Sequence, residues 1–399
     1  MKSLGADVME RARAGDPVAL CQAMVAIPSV NPELEEGGAG EEALARQCGS
    51  WLKEWGYAVE LLEVASGRWN VVAEPGRGGG GKRLILNGHL DTVGVAGMPE
   101  DPFLGEVRSG RVWGRGACDM KGGLAIIMST AFKLSKNADI PNSFPEGELV
   151  IALTADEEHA SVGMQRFVEG APLAEGAIVC EPTSLAVMPA HKGFLWLEAE
   201  FRGKAAHGSR PEEGVDAILH AARFLTALEG LGTLLRTGVP HPLLAFPSFH
   251  AGTIVGGTAP SVYPHKCSLV LERRTLPGEN PDSVMEAFEE VLQDVREEVG
   301  GLDAHLSSGL FRPGTEVSRD SPLVRCLLKS MEAEGLQPSV EGMTAWVDAA
   351  FLNEAGIPAV CFGPGSIAQA HAGEEWVSVR ELEAGSRVLT RFAVDFLSG

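Results

Sequence analysis

The sequence predicts an α/β protein with a smaller α+β domain inserted into it. Short apolar runs at residues 84–86, 149–155, 176–180 and 359–362 have the length and branching of buried strands, and helical stretches lie between them. Near the ends of these runs and their turns stand side chains able to bind a cation, and strand ends are where open α/β sheets place ligands. Between His191 and about Ser308 the pattern changes to β-α-β-β-α-β, the order of a ferredoxin-like domain. The expected organisation is a catalytic domain in two parts, 1–188 and 309–399, with the insert at 189–308.

Composition narrows the classes of function. A chain of 399 residues is long enough for a sizeable core, and a formal charge of -21 argues against nucleic acid or an anionic membrane as partner. No uninterrupted apolar run approaches the ~18 residues of a membrane span, and residues 1–13 lack the apolar core of a signal peptide. Seven cysteines without CxxC spacing read as free thiols in a reducing compartment, so a cytoplasmic protein is expected.

In chain order, residues 16–26 read as a helix with Asp16 as cap and Pro17 in the first turn. A second helix spans about 41–55 and stops at Gly56. Residues 57–64 alternate like a strand, and another starts at Asn70. The glycine run 76–81 reads as a hairpin tip rather than a phosphate cradle, because no GK[ST] or helix start follows. The strand at 84–86 then runs into Asn87-Gly-His89-Leu-Asp91-Thr-Val93. Strand alternation puts His89 and Asp91 on one face, where a carboxylate can orient a metal-bound imidazole.

Asp119 lies in the glycine-punctuated turn Gly114-Arg-Gly-Ala-Cys-Asp119-Met-Lys-Gly-Gly123, just before an apolar helix at 124–134. The run at 149–155 delivers three consecutive carboxylates, Asp156, Glu157 and Glu158, which repel one another unless a cation or protons intervene. Glu181 ends the run at 176–180, and His371 follows the strand and turn at 359–365. Two imidazoles and three carboxylates (His89, His371, Asp119, Glu158, Glu181) suit two divalent ions of zinc type better than calcium or magnesium.

These motifs, in this order along nearly the whole chain, resemble the M20 family of metallopeptidases and deacylases, the type that includes acetylornithine deacetylase, succinyl-diaminopimelate desuccinylase, carboxypeptidase G2 and aminoacylase-1. The resemblance implies a mixed-sheet, zinc-exopeptidase-like catalytic domain with the insert serving as lid and dimerisation domain of a homodimer. His89 and Glu181 would hold one metal, Glu158 and His371 the other, and Asp119 would bridge them. The ions would be zinc, with cobalt or manganese as alternatives. Asp91 would orient His89, Glu157 would be the general base, and the Asp119–Met120 peptide would be cis.

In the insert, the resemblance implies that His207 reaches the active site, in dimers from the neighbouring subunit, and that Arg274 grips a substrate carboxylate. Arg273 is a competitor for that task. Gly365 either offers a backbone donor to substrate or only turns the chain, and Asp348 either supports the site or caps a helix. Ser261, in Ser261-Val-Tyr-Pro264, departs from the Asn often found there. The implied activity is metal-dependent hydrolysis of the amide bond of a small N-acyl amino acid, most like acetylornithine deacetylase. A dipeptidase or carboxypeptidase acting on short peptides with the same metals is the alternative. A catalytically silent metal-binding protein would have lost the base or a ligand, and all are present.

Overall fold

Four parallel strands form the centre of the larger unit, in the order Glu148–Thr154, Arg83–His89, Gly176–Val179 and Ala359–Cys361. In this computed structural model the described residues are 5–75, 81–136 and 147–398, so 76–80 of the glycine run expected as a hairpin tip lie outside them. The hairpin Tyr57–Ala65 and Arg68–Pro75 adds to one side of the sheet by antiparallel pairing with Glu148–Thr154. On the other side, Cys361 pairs with Met188. All four central strands are buried along nearly their whole length, which is why they read as continuous apolar runs rather than alternating ones.

Helix Pro17–Val25 starts where the sequence predicts, with Asp16 accepting from the Ala19 N–H at 2.8 Å and Pro17 at the first helical position. It packs against Lys121–Lys136, which in turn meets the C-terminal helix Val379–Ser398. Lys121–Lys136 begins three residues earlier than the apolar pattern indicates, directly after the Asp119 turn. Gly123 lets it do so. A Cβ there would come within 2.0 Å of the Cys180 carbonyl oxygen, on the strand end that leads to Glu181. Helix Glu42–Glu54 has no side-chain cap, because the Glu41 carboxylate is bound to Arg68 instead.

The chain divides into two units, one of Met1–Pro189, Val317–Glu341 and Val347–Gly399, the other of Ala190–Glu316 with Gly342–Trp346. The second has the element order strand, helix, strand, strand, helix, strand, and its sheet runs Ser248–Gly256, Lys266–Thr275, Gly193–Arg202, Asp303–Arg312, all antiparallel. That order is ferredoxin-like. Leu195, Leu197, Ala199 and Phe201 alternate inward from the central strand and form a core with Phe224, Leu228, Phe288 and Leu292 of the two helices. Asn280 caps the second helix by accepting from the Ser283 N–H at 3.0 Å.

Helix Ala217–Thr237 is by length and composition apolar enough to cross a membrane. Arg223 and Glu229 break its apolar run in the sequence, but the average over the helix remains high. In the fold it buries Ala217, Ala221, Phe224, Leu228 and Leu231.

His191 is buried in the second unit, its Nδ1 3.1 Å from the Lys192 carbonyl and its Nε2 2.8 Å from Thr315 Oγ1. Burial, with Arg274 nearby, lowers its pKa to about 4. The unfolded chain therefore binds the extra proton first as pH falls below the ordinary histidine value. The stability His191 contributes is complete above ~6.5 and is lost as pH falls toward about 4, a span worth about 3 kcal/mol. An NMR titration should show its imidazole unmoved at pH 6 and titrating near 4; an ordinary midpoint near ~6.5 would contradict this burial.

Candidate metal centre

The register of the parallel strands brings their carboxyl ends to one edge. His89 ends its strand opposite Thr154, and the Leu90 N–H donates to the Thr154 carbonyl at 2.7 Å, so Glu157 and Glu158 emerge beside it. On the other side the Cys180 N–H donates to the Asn87 carbonyl at 2.9 Å, which places Glu181 next in line. Gly363 follows the fourth strand and packs on this segment, since a Cβ there would lie 2.5 Å from the Glu181 carbonyl oxygen.

The Asp119 carboxylate stands between two imidazoles. Its Oδ1 is 3.1 Å from His89 Nε2, and its Oδ2 is 3.6 Å from His371 Nε2. His371 Nε2 also meets Glu158 Oε2 at 2.9 Å. Ligand atoms of His89, Asp119 and Glu158 all lie within 4.8 Å of one another. Glu158 Oε1 and Glu181 Oε1 are buried and have no hydrogen-bond partner. The Asp119–Met120 peptide is cis, and His371 takes a left-handed backbone conformation (φ 61°).

Electrostatics mark the same group. Burial raises Glu157 and Glu181 well above the ordinary carboxyl range; His89 opposes this, and neighbouring carboxylates, Asp348 among them, add to it. Glu158 is raised by burial and by Asp119, against the pull of His371. Burial disfavours the His89 cation, yet Asp119, Asp91, Glu181 and Glu157 outweigh it and hold the imidazolium well above its usual range.

Asp91 is buried behind His89, and its role in holding the ring is shared with its own main chain. His89 Nδ1 donates to the Asp91 carbonyl at 3.0 Å, while the Asp91 carboxylate is 3.6 Å away. A carbonyl can only accept, so Nδ1 carries a proton in either charge state, and it is the Nε2 proton, directed at Asp119, whose loss would leave a lone pair there. The Asp91 carboxylate accepts from Asn31 Nδ2 at 2.8 Å and from the backbone N–H groups of Glu157 and Glu158 at 3.1 and 3.2 Å. Burial raises its pKa, but His89, Asn31 and Arg68 outweigh that and hold it below the ordinary value.

A model of peptidase family M20/M25/M40 matches residues 85–395. The chain belongs to that family. Among curated relatives, the acetylornithine deacetylase of Myxococcus xanthus is 35% identical over 334 residues, 83% of this chain and 84% of that protein. The acetylornithine deacetylase of Proteus mirabilis is 30% identical over 386 residues, 95% and 96% of the two chains. Among solved structures, aminopeptidase PepT of Bacillus cereus superposes with a TM-score of 0.78 at 20% identity, covering 97% of this chain and 99% of that one. This M20 chain is thus a hydrolase of the metallopeptidase and deacetylase kind, with the mixed α/β fold the sequence predicts.

The remaining expected residues are in different surroundings. His207 and Arg274 lie in the second unit. Arg274 donates through Nη2 to the Thr344 carbonyl at 2.8 Å and stays partly exposed, whereas Arg273 is buried and bound to Glu279 at 2.6 Å. Ser261 also belongs to this unit, where its carbonyl accepts from the Gly208 N–H at 2.8 Å. Gly365 does not offer its N–H outward: it donates to Glu381 Oε2 at 2.6 Å, and its carbonyl accepts from the Ser184 N–H at 2.6 Å. With φ at 86° and Cys118 Sγ 2.6 Å from where a Cβ would be, Gly365 turns the chain. Asp348 makes no cap bond to the helix it precedes, and its charge falls on Glu157 and Glu181.

Sequence reasoning missed a buried network behind Asp91. Arg68 is paired with Glu41 and, at 2.7 Å, with Asp156, and Asn31 bonds both Asp91 and Asp156. Asp156, the first acid of the Asp-Glu-Glu run, is therefore a structural partner, held with φ at 70°. The only local signal is an arginine just before the expected strand, where a side chain facing solvent is the ordinary expectation. Replacing Arg68 with Met should cost about 3–5 kcal/mol in urea unfolding, because two buried carboxylates lose their cation; a loss below ~1 kcal/mol would mean the network is solvated.

Proposed function

We propose that this M20 enzyme hydrolyses the amide bond of a small N-acyl amino acid, with acetylornithine deacetylase-like activity as the first expectation. One observation carries it: Asp119 presents one oxygen toward each of two histidines, beside a carboxylate set that burial and mutual repulsion leave short of positive charge. The curated relatives at 30–35% identity carry that enzyme's name, which favours deacylation over peptidase action.

The residues fit a pair of divalent ions. Glu158 Oε1 and Glu181 Oε1 are buried with lone pairs that no protein donor meets, and mixed imidazole and carboxylate donors match zinc, cobalt or manganese. His89 and Glu181 would hold one ion, Glu158 and His371 the other, with Asp119 shared. When bound, the ions supply positive charge that activates water and polarises the amide carbonyl. Glu157 then acts as the base: its carboxylate takes a proton from the attacking water and hands it to the departing amine nitrogen.

Residues of the second unit would complete the chemistry. Ser209 N–H donates to His207 Nδ1 at 3.2 Å, so that nitrogen is an acceptor and the ring proton of neutral His207 is on Nε2. An Nε2–H donor suits an oxyanion developing on the amide oxygen. Arg274, whose side chain is partly exposed, suits the free carboxylate of an amino acid. The free thiols suit a reducing compartment, as expected for a cytoplasmic enzyme.

The test is amine release by zinc- or cobalt-loaded chain from N-acetyl and N-succinyl amino acids, with dipeptides alongside. Cleavage confined to acyl amino acids is expected, and preference for dipeptides would overturn the deacylase assignment. Glu157→Gln should retain both ions and lose about 10²–10⁴ in kcat; near-normal turnover would remove Glu157 as the base.

We also infer a homodimer through the second unit. Strand Ser248–Gly256 is an edge strand exposed along most of its length, with Ile254 and Val255 54% and 71% exposed, and Leu219 and Leu234 of helix Ala217–Thr237 are 60% and 67% exposed. An edge strand with unpaired backbone groups and apolar side chains is a template for a second copy of itself. Sedimentation should give a dimer for the native chain and a monomer for Val255→Lys with Leu219→Glu. A native monomer at micromolar concentration would contradict this.

A further inference from the structure

Beyond the ligands and the base, one buried ion pair joins three of the loops that carry them. Glu375 and Arg115 are 1% and 3% exposed and meet at 2.7 Å between Glu375 Oε2 and Arg115 Nη1. Among the described residues, the remaining hydrogen bonds of the Glu375 carboxylate go to the Asp119 turn. Oε2 also accepts from the Gly116 N–H at 2.9 Å, and Oε1 accepts from the N–H groups of Cys118 at 2.9 Å and Asp119 at 3.0 Å. Arg115 reaches the other two loops: Nε donates to the Gly94 carbonyl at 2.9 Å, just past the His89-Asp91 segment, and Nη1 to the Ala372 carbonyl at 3.2 Å, next to His371.

The fold sets up this arrangement through a small separate sheet. Strand Trp376–Ser378 pairs antiparallel with Arg111–Trp113, Trp376 opposite Trp113, so Glu375 comes to lie beside the start of the Gly114–Asp119 turn. The Gly114 N–H donates to the Glu375 carbonyl at 3.1 Å and closes the register. The carboxylate therefore bonds the main chain of Asp119 and stands four residues from His371. No other side chain among the described residues is bonded to the backbone of the Asp119 turn through both carboxylate oxygens.

We propose that Glu375, clamped by Arg115, is a positioning residue of the metal centre: it locks the Asp119 turn to the His371 loop so that Asp119 keeps one oxygen toward each histidine. This rests on the metal-centre assignment made above. Glu375 touches neither the two imidazoles nor the other acidic ligands in the contacts above, so it acts through Asp119 and His371. A plain structural ion pair would stabilise the chain without caring which ligands it spans. A positioning pair has to change metal binding when it is altered conservatively.

Glu375→Gln separates the two roles. It keeps the side chain's shape but turns one oxygen into a donor that faces N–H groups. The full chain, stripped of metal by a chelator, is titrated calorimetrically with Co²⁺, and the visible spectrum of the cobalt-loaded protein is recorded. Outer partners of metal ligands typically change affinity by about 10–100-fold, so a loss of at least ~10-fold is expected for the weaker cobalt, with an altered cobalt spectrum. In acyl amino acid hydrolysis kcat should fall while KM stays within about twofold, because the loss lies with the reacting centre. Arg115→Lys, which keeps the charge but not the fork to Gly94 and Ala372, should lie between Glu375→Gln and the native chain. Exposed Glu374→Gln should match the native chain.

A folded Glu375→Gln chain with native cobalt affinity and spectrum would overturn the proposal, even if its melting temperature fell. If Glu375→Gln does not fold, Arg115→Lys decides on the same two readouts, with native cobalt affinity overturning the proposal. A native chain that binds no cobalt would overturn the metal-centre assignment, and this one with it.

Discussion

The constraint on which the structure depends is negative charge held away from water. Glu157, Glu158 and Glu181 are pushed upward by burial and by one another, and His89 is drawn into its charged form by the same field. Carboxylates in such surroundings repel unless a cation or protons stand among them. The site has to be held by forces that do not come from the site itself. Two buried cations outside it do this: Arg68 behind the Asp91 and Asp-Glu-Glu segments, and Arg115 behind the Asp119 and His371 segments.

Between those two anchors the parallel sheet does the placing. Neighbouring strands in register bring their carboxyl ends to one level, so residues at the tips of three strands converge without any long loop. Close packing behind the tips depends on residues without side chains. Gly123 and Gly363 each leave room for the main chain around Cys180 and Glu181, and any larger residue would push the Glu181 segment outward. The chemistry at the edge and the packing beneath it are thus one requirement: Gly176–Val179, buried at every residue, leads within two residues to the Glu181 carboxylate.

The second unit contributes through a different logic. Its ferredoxin-like sheet needs only alternation and two amphipathic helices, and both are visible in the residues. What it offers chemically is sparse: a histidine whose tautomer is set by a neighbouring serine N–H, and an arginine left partly exposed while its neighbour is bound to Glu279. The two adjacent arginines thus differ in surroundings: Arg273 is buried against Glu279, while Arg274 is partly exposed with Glu272 3.6 Å away.

By itself the sequence determined the central strands, the capped helix at Asp16, the order of the insert and the acidic and histidine residues at strand ends. These are legible because burial and backbone chemistry act over a few neighbouring residues: a continuous apolar run, a cap before a proline, a carboxylate after a strand. Tertiary structure alone decided which acid of the Asp-Glu-Glu run turns inward to Arg68, that Gly365 turns the chain and spends its N–H on Glu381, and that Glu375 grips a turn 256 residues away in sequence. Those outcomes depend on partners brought together from distant segments, and no local pattern records the partner of a buried charge. Asp156 and Glu157 are adjacent acids of one motif, yet one lies against an arginine and the other among carboxylates, and only the fold distinguishes them.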